Sequence, residues 1–288
     1  MKRLCCFVLS AVSLLTTQCI IAQSIPDSTG LPGDNFSLEG ALEMFKRASS
    51  PEEFEKLINS ENNGVNNLDL NNDGNIDYIK VIDKKDGDTH AFILQDPVSE
   101  TESQDVAVIE LDKKGENNAA LQIVGDEDLY GEETIVEPTD EATGSMAASL
   151  GLPGMYSGDE SNRPDDIIVN VWMWPMVQFV YAPAYVVWIS PWRWRVWPVW
   201  WAPWRPLYWY AFYPRRIVYV SHYTIVTSNR IVRARRIYRP VRVTSVAVRT
   251  RNDVTLSRYR AAPRRQMMQG PRRKVRMARP NTGHRGRF

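Results

Sequence analysis

Residues 76–95 read IDYIKVIDKKDGDTHAFILQ, and the reading of this stretch decides the fold. From Ile76 to Asp83 the pattern has a period of two, and a second β-prone run covers Thr89–Gln95. Between them stands Lys84-Lys85-Asp86-Gly87-Asp88, and Asp-Gly between apolar runs predicts a β-hairpin. Downstream, Val106–Leu111 and Ala119–Val124 flank a second turn at Gly115, with a short run at Thr134–Val136. Upstream the period is helical. Ser37 precedes Leu38, Ala41, Leu42, Phe45 and Ala48, which fall on one helix face. Ser50-Pro51-Glu52-Glu53 opens a second helix as a capping box with proline in the first turn, and Phe54, Leu57 and Ile58 form its apolar face. Asn62-Asn63-Gly64 ends it. Two helices followed by an antiparallel β-meander give an α+β domain over 35–137, about 100 residues and enough for one modest core.

Charge divides the 288-residue chain in two. Residues 1–168 hold 33 of the 34 acidic residues and 11 of the 35 basic ones, whereas residues 169–288 hold 24 basic residues and one acid, Asp253. The formal net charge of +1 therefore conceals an acidic front and a basic back. All ten Trp lie between Trp172 and Trp209.

Lys2 and Arg3 precede an apolar stretch from Leu4 to Ile21, which meets Ala22-Gln23. That order predicts a secretory signal peptide, residues 1–22, and hence export to the periplasm, outer membrane or cell surface. Lipidation at Cys19 is the competing reading, although Thr16-Thr17-Gln18 lacks the usual small residue before the cysteine. Cys5, Cys6 and Cys19 all fall inside the segment removed, which excludes a disulfide framework, a thiol nucleophile and a thiolate metal site. His90, His222 and His284 are scattered, without the spacing of a zinc site.

One loop carries recognisable chemistry. Asp69, Asn71, Asp73, Asn75 and Asp77 recur at alternate positions, and Gly74 permits a sharp turn. Side-chain oxygens from Asp69, Asn71, Asp73 and Asp77, with a carbonyl from Asn75, suit a hard divalent ion, calcium rather than magnesium. The loop resembles the calcium loops of dockerins, EF-hands and FG-GAP/VCBS repeats. It departs from the EF-hand at the twelfth position, where Lys80 stands in place of a bidentate acid, and the strand-like residues after it fit the loop-then-strand version. The resemblance implies a structural calcium ion. An Asn/Asp-rich turn that binds nothing is the plainer reading.

The back of the chain has no such order. A loose lead is expected at 23–34 and a linker at 138–164. Residues 167–192 carry no charge, long enough to span a bilayer as a helix, but Pro175, Pro183 and Pro191 interrupt them. An extended or β-rich Trp/Pro/Arg segment is expected over 165–260, with strands at Ile217–Ser228 and Val241–Val248, and a disordered basic tail over 261–288. Trp192, Arg193, Trp194, Arg195, Trp197, Trp200, Trp201, Trp204 and Arg205 combine indole and guanidinium groups suited to a wet, anionic interface. The partners expected are anionic lipid, lipopolysaccharide or a polysaccharide surface, or the chain's own acidic domain; export argues against nucleic acid.

The signal peptide, the acidic domain with its loop, and the segments Val171-Trp172-Met173-Trp174-Pro175-Met176 and Ser190-Pro191-Trp192-Arg193-Trp194 together resemble uncharacterised secreted bacterial envelope proteins. No nucleophile elbow or phosphate-cradling glycine loop is present, and the expectation is a non-enzymatic, envelope-associated protein. The rivals are a hydrolytic enzyme using carboxylates of the acidic domain, and an integral membrane protein spanning at 167–192.

Overall fold

The computed structural model describes residues 25–139 and 168–262. The expected signal peptide, most of the linker and nearly all of the basic tail lie outside the described residues. Helices α1 (Leu38–Arg47) and α2 (Pro51–Ile58) come first. Ser37 caps α1 by accepting from Gly40 N at 3.0 Å, and Ser50 caps α2 by accepting from Glu53 N at 3.2 Å. Glu53 reaches back one residue further than a capping box requires, accepting from Ser49 N at 2.8 Å.

The meander follows as β1 (Lys80–Asp86), β2 (Thr89–Asp96), β3 (Gln104–Gly115), β4 (Asn118–Gly125) and β5 (Thr134–Pro138), with a one-turn helix, α3 (Glu127–Tyr130), before β5. Gly87 adopts φ 58° at the first hairpin, as its Asp-Gly turn demands. β1 begins four residues later than the alternation suggested. Residues 76–79 are held partly by side chains instead: Ile79 N donates to Asn59 Oδ1 at 2.8 Å, and Asn66 Nδ2 donates to Asp77 O at 2.8 Å.

The sheet does not end at β5. Its sixth strand is β6 (Tyr223–Val226), which pairs antiparallel with β5 from Ile135↔Val226 to Pro138↔Tyr223. At the other edge, Trp188–Ser190 runs along β1, with Asp83 N donating to Trp188 O at 2.8 Å and Ser190 N to Val81 O at 3.0 Å. The back of the chain therefore covers or extends both edges of the front sheet, which removes rows of unpaired backbone groups.

Helices supply the rest. They are α4 (Pro175–Val180), α5 (Trp209–Arg216), α6 (Val232–Tyr238) and α7 (Val246–Ala261). The expected strand over Ile217–Ser228 is a 3-10 turn, Ile217–His222, followed by β6, and the strand expected at Val241–Val248 is irregular chain leading into α7, capped by Ser245. The rival reading, one spanning helix over 167–192, is not what that stretch forms. Its described part holds only the six residues of α4 and extended chain, and among the described residues no helix is long and apolar enough to cross a membrane. Prolines 175, 183 and 191 withhold the backbone donors that a longer helix needs. The lead is anchored from residue 26: Trp209 Nε1 donates to Pro26 O at 2.7 Å, and Ser28 Oγ to Asp34 Oδ2 at 2.6 Å.

β2 is buried along its whole length because both faces of the sheet are covered. Phe92 and Leu94 join Leu42, Phe45 and Phe54 from the first two helices, together with Met176, Val177 and Val180 from α4. Ala91 and Ile93 face the other way, with Val108, Val226 and Tyr238, under α6. On this second face Arg242 closes on Asp126, Nε to Oδ2 at 2.6 Å, and on Asp128 at 3.1 Å. Arg249 also reaches Asp128, at 2.9 Å.

Glu110 and Gln122 are buried on this face beneath Asn229, whose Nδ2 donates to Glu110 at 2.9 Å. Burial pushes the Glu110 carboxyl up from 4.5 to about 7, against the hydrogen bonds from Asn229 and Gln122. Folding therefore takes up a proton there. The contribution is fully present below about pH 4.5 and is lost as pH rises through about 7. At about 1.4 kcal/mol per pH unit, this amounts to about 3 kcal/mol. Glu110→Gln is expected to flatten the fall in stability between those limits in urea melts. Identical pH slopes for the two proteins would contradict it.

Candidate functional site

The Asp69–Asp77 loop leaves the helical layer after Leu68 and is closed at its neck by Asp77 N donating to Leu68 O at 2.8 Å. Its side chains fold inward. Asp69 accepts from Asp73 N at 3.0 Å and Gly74 N at 2.9 Å, Asn71 Oδ1 accepts from Asp73 N at 2.7 Å, and Asp73 Oδ1 from Asn75 N at 2.9 Å. Gly74 has φ 82°, and a Cβ there would meet nothing within 4 Å, so glycine serves the backbone conformation rather than a close approach. Asp77 is buried and accepts from Leu70 N and from Asn71 Nδ2, each at 2.5 Å.

A carboxylate offers about four lone-pair sites, so one or two amide bonds leave capacity for a cation. The fit of calcium to the loop rests on that capacity and on the all-oxygen chemistry of Asp69, Asn71, Asp73, Asn75 and Asp77. Among the described residues no group of three or more His, Cys, Asp or Glu is arranged to hold a metal ion. Two of the five loop positions are Asn, and the oxygens remain turned to the loop's own amides.

The neighbour that sequence reasoning missed is Asp96, at the end of β2. It has no exposed surface, and neither carboxylate oxygen has a hydrogen-bond donor. Its carboxyl meets that of Asp77. Burial pushes Asp77 up to about 7 and Asp96 well above the usual carboxylate range, and the charges of Asp69 and Asp73 push Asp96 the same way. The only sequence signal was a charged residue ending an otherwise apolar strand, just before Pro97.

The Trp/Arg segment lies over this loop. Ile76 N donates to Trp204 O at 2.7 Å, and a tight turn closes between Arg193 and Val196, N to O at 3.0 and 2.8 Å, with Arg195 at φ 54°. Trp201 is buried against Tyr78, ring centroids 5.0 Å apart, and against Trp197 at 5.2 Å and Trp204 at 6.0 Å. A cavity of about 100 Å³ lies between loop and segment. Asn71, Asp73, Asn75 and Asp77 line it from one side, and Arg193, Trp194, Arg195, Trp197 and Trp201 from the other. The fold thus brings together most of both residue sets picked out in the sequence. Asp69, Trp192, Trp200, Trp204 and Arg205 stand outside the cavity lining; Trp200 is half exposed beneath Lys56, whose Nζ is 5.5 Å from its ring.

Elsewhere, His90 Nδ1 lies 2.9 Å from Asp83 Oδ2, and Tyr185 OH donates to the same oxygen at 2.7 Å. Both His90 and Asp83 have side chains with no exposed surface, sealed by Phe92, Tyr181 and Tyr185. A general acid–base group must reach its substrate. This trio is a buried polar clasp. No known family model, curated protein or solved structure matches the chain.

Proposed function

We propose that this is a non-enzymatic, exported, envelope-associated protein whose Trp–Arg rim binds an anionic lipid, lipopolysaccharide or polysaccharide surface beside a calcium-ordered loop. The observation that carries the reading is the shared cavity, where Arg193, Trp194 and Arg195 sit across from Asp73 and Asp77. Part of the basic excess is spent internally. Arg216, Arg230, Arg235, Arg239, Arg242 and Arg249 all pair with acids of the front half. Arg193, Arg195 and Arg205 are exposed and make no ion pair among the described residues. Val196, Val199 and Trp200 are exposed beside them. Guanidinium groups beside indoles pair with phosphate or carboxylate at a half-dry surface.

The hydrolase reading has less support. Asp77 is held by Leu70 and Asn71, and Asp96 has no surface from which to meet a substrate.

Full-length protein is expected to sediment with vesicles containing anionic lipid or lipopolysaccharide, and to be released by salt as the screening length shrinks from about 10 Å at 0.1 M to about 3 Å at 1 M. The Arg193→Ala/Arg195→Ala double variant should bind roughly thirtyfold more weakly, each surface charge contributing about 1 kcal/mol. Equal binding to neutral vesicles at both salt concentrations, or an unaffected double variant, would overturn the proposal.

A further inference from the structure

We infer that Asp96 is a metal ligand: it completes a calcium site with the Asp69–Asp77 loop, delivered from the end of the neighbouring strand. The inference rests on the calcium reading of that loop and assigns a residue outside it.

A fully buried carboxylate is ordinarily met by several donors or by a cationic side chain, because taking the charge out of water costs several kcal/mol. Asp96 has neither. Both oxygens lack a donor, and the charged group that bears on them most is another buried carboxyl, that of Asp77. Two carboxylates cannot donate to each other. Something positive has to sit between them, a shared proton or a cation.

The surrounding basic groups do not supply that charge. Lys80, on β1, attracts Asp96 from a distance without forming an ion pair. Arg251, from α7, is committed to Leu70 O at 2.5 Å. Arg193 and Arg195 are exposed at the outer side of the cavity. Meanwhile the negative charges of Asp69 and Asp73 also bear on Asp96. Two buried carboxyls, with two further acids near enough to bear on them, are better neutralised by a divalent ion than by one proton.

The topology explains where the ligand comes from. An acid is missing at Lys80, after the loop, but the register of β1 and β2 sets Lys80 opposite Gln95. Asp96 is the next residue, which brings it to the loop end of the sheet, beside Asp77. A long-range ligand thus replaces the absent local one. Calcium tolerates the mixture of carboxylate, amide and carbonyl oxygens that this arrangement supplies, whereas magnesium demands near-octahedral geometry.

The test uses full-length protein freed of metal with a chelator, and terbium as a luminescent stand-in for calcium. Tyr78, Trp194, Trp197 and Trp201 line the cavity shared with Asp73 and Asp77, so exciting the indoles should sensitise a bound terbium ion. Wild type is expected to give sensitised emission that calcium displaces, and calcium should raise its thermal midpoint. Asp96→Asn should need at least tenfold more terbium or calcium, as should Asp73→Asn. Asp96→Ser, smaller and neutral, serves if the amide variant does not fold. A weakened Asp73→Asn beside an Asp96→Asn that titrates like wild type would overturn the role of Asp96 and leave the calcium loop standing. No emission and no calcium-dependent midpoint in wild type, with Asp96→Asn equally stable, would mean that the pair shares a proton, and both readings would fall.

Discussion

A chain ending at Thr139 is expected to lose the cooperative unfolding transition of the full-length protein. That truncation keeps every residue of β1–β5, yet it removes Val171, Met176, Val177, Val180, Tyr219, Tyr223 and Val248 from the core on the helical face. On the other face it removes Val226 and Tyr238. At about 1.5–3 kcal/mol for each large buried side chain, the lost contacts amount to at least about 10 kcal/mol, comparable with the 5–15 kcal/mol that holds a typical domain together. Polar losses add to this. Asp126 and Asp128 would lose Arg242, Glu110 would lose Asn229, and β5 would become a bare edge. Urea melts followed by circular dichroism of the shortened and full-length chains provide the measurement. A single steep transition in the truncated chain, with a midpoint close to that of the full chain, would show that the front half stands alone.

Glu55→Ala is the point substitution expected to cost most, about 4 kcal/mol. The Glu55 carboxylate is buried on α2 and gathers four donors from two distant stretches of the chain. Val81 N lies at 2.9 Å, Tyr78 OH at 2.8 Å, Ser190 Oγ at 2.9 Å and Trp188 Nε1 at 3.3 Å. Burial raises its pKa, opposed by those same hydrogen bonds. Removing the acceptor strands a buried amide and two hydroxyls, each at about 1–3 kcal/mol. The thermal midpoint should fall by roughly 8–16 °C, given about 2–4 °C per kcal/mol for a domain of this size. Glu55→Gln keeps one acceptor oxygen but turns an NH₂ toward donors, so an intermediate loss is expected. A change within about 0.5 kcal/mol for Glu55→Ala, the range of ordinary surface substitutions, would show that the clasp contributes nothing.

Glu55 also shows why the candidate site was only half legible. Its place on α2 follows from the helical period and the Ser50 cap, both local signals. That its carboxylate would hold Trp188 and Ser190, more than 130 residues away, was encoded in no spacing. The loop residues were visible because oxygen-bearing side chains at alternate positions belong to one short segment. Asp96 was not, since its relevance depends on β-strand register rather than on distance along the chain. The Trp/Arg segment stood out by composition, but composition could not say that Trp201 would be buried against Tyr78 while Arg193 and Arg195 stayed exposed.

Alternation, helical period, caps and the Asp-Gly turn by themselves determined two helices and an antiparallel meander, because each depends on hydrogen bonds and side-chain directions within a few residues. Only the tertiary structure decided that the basic half would cover both faces and both edges of that meander. Its prolines and indoles obey no period, and whether a buried acid such as Asp126 is tolerable depends on a guanidinium 116 residues away. Burial of charge is settled by what meets it in space, and that is fixed only once the whole chain has closed.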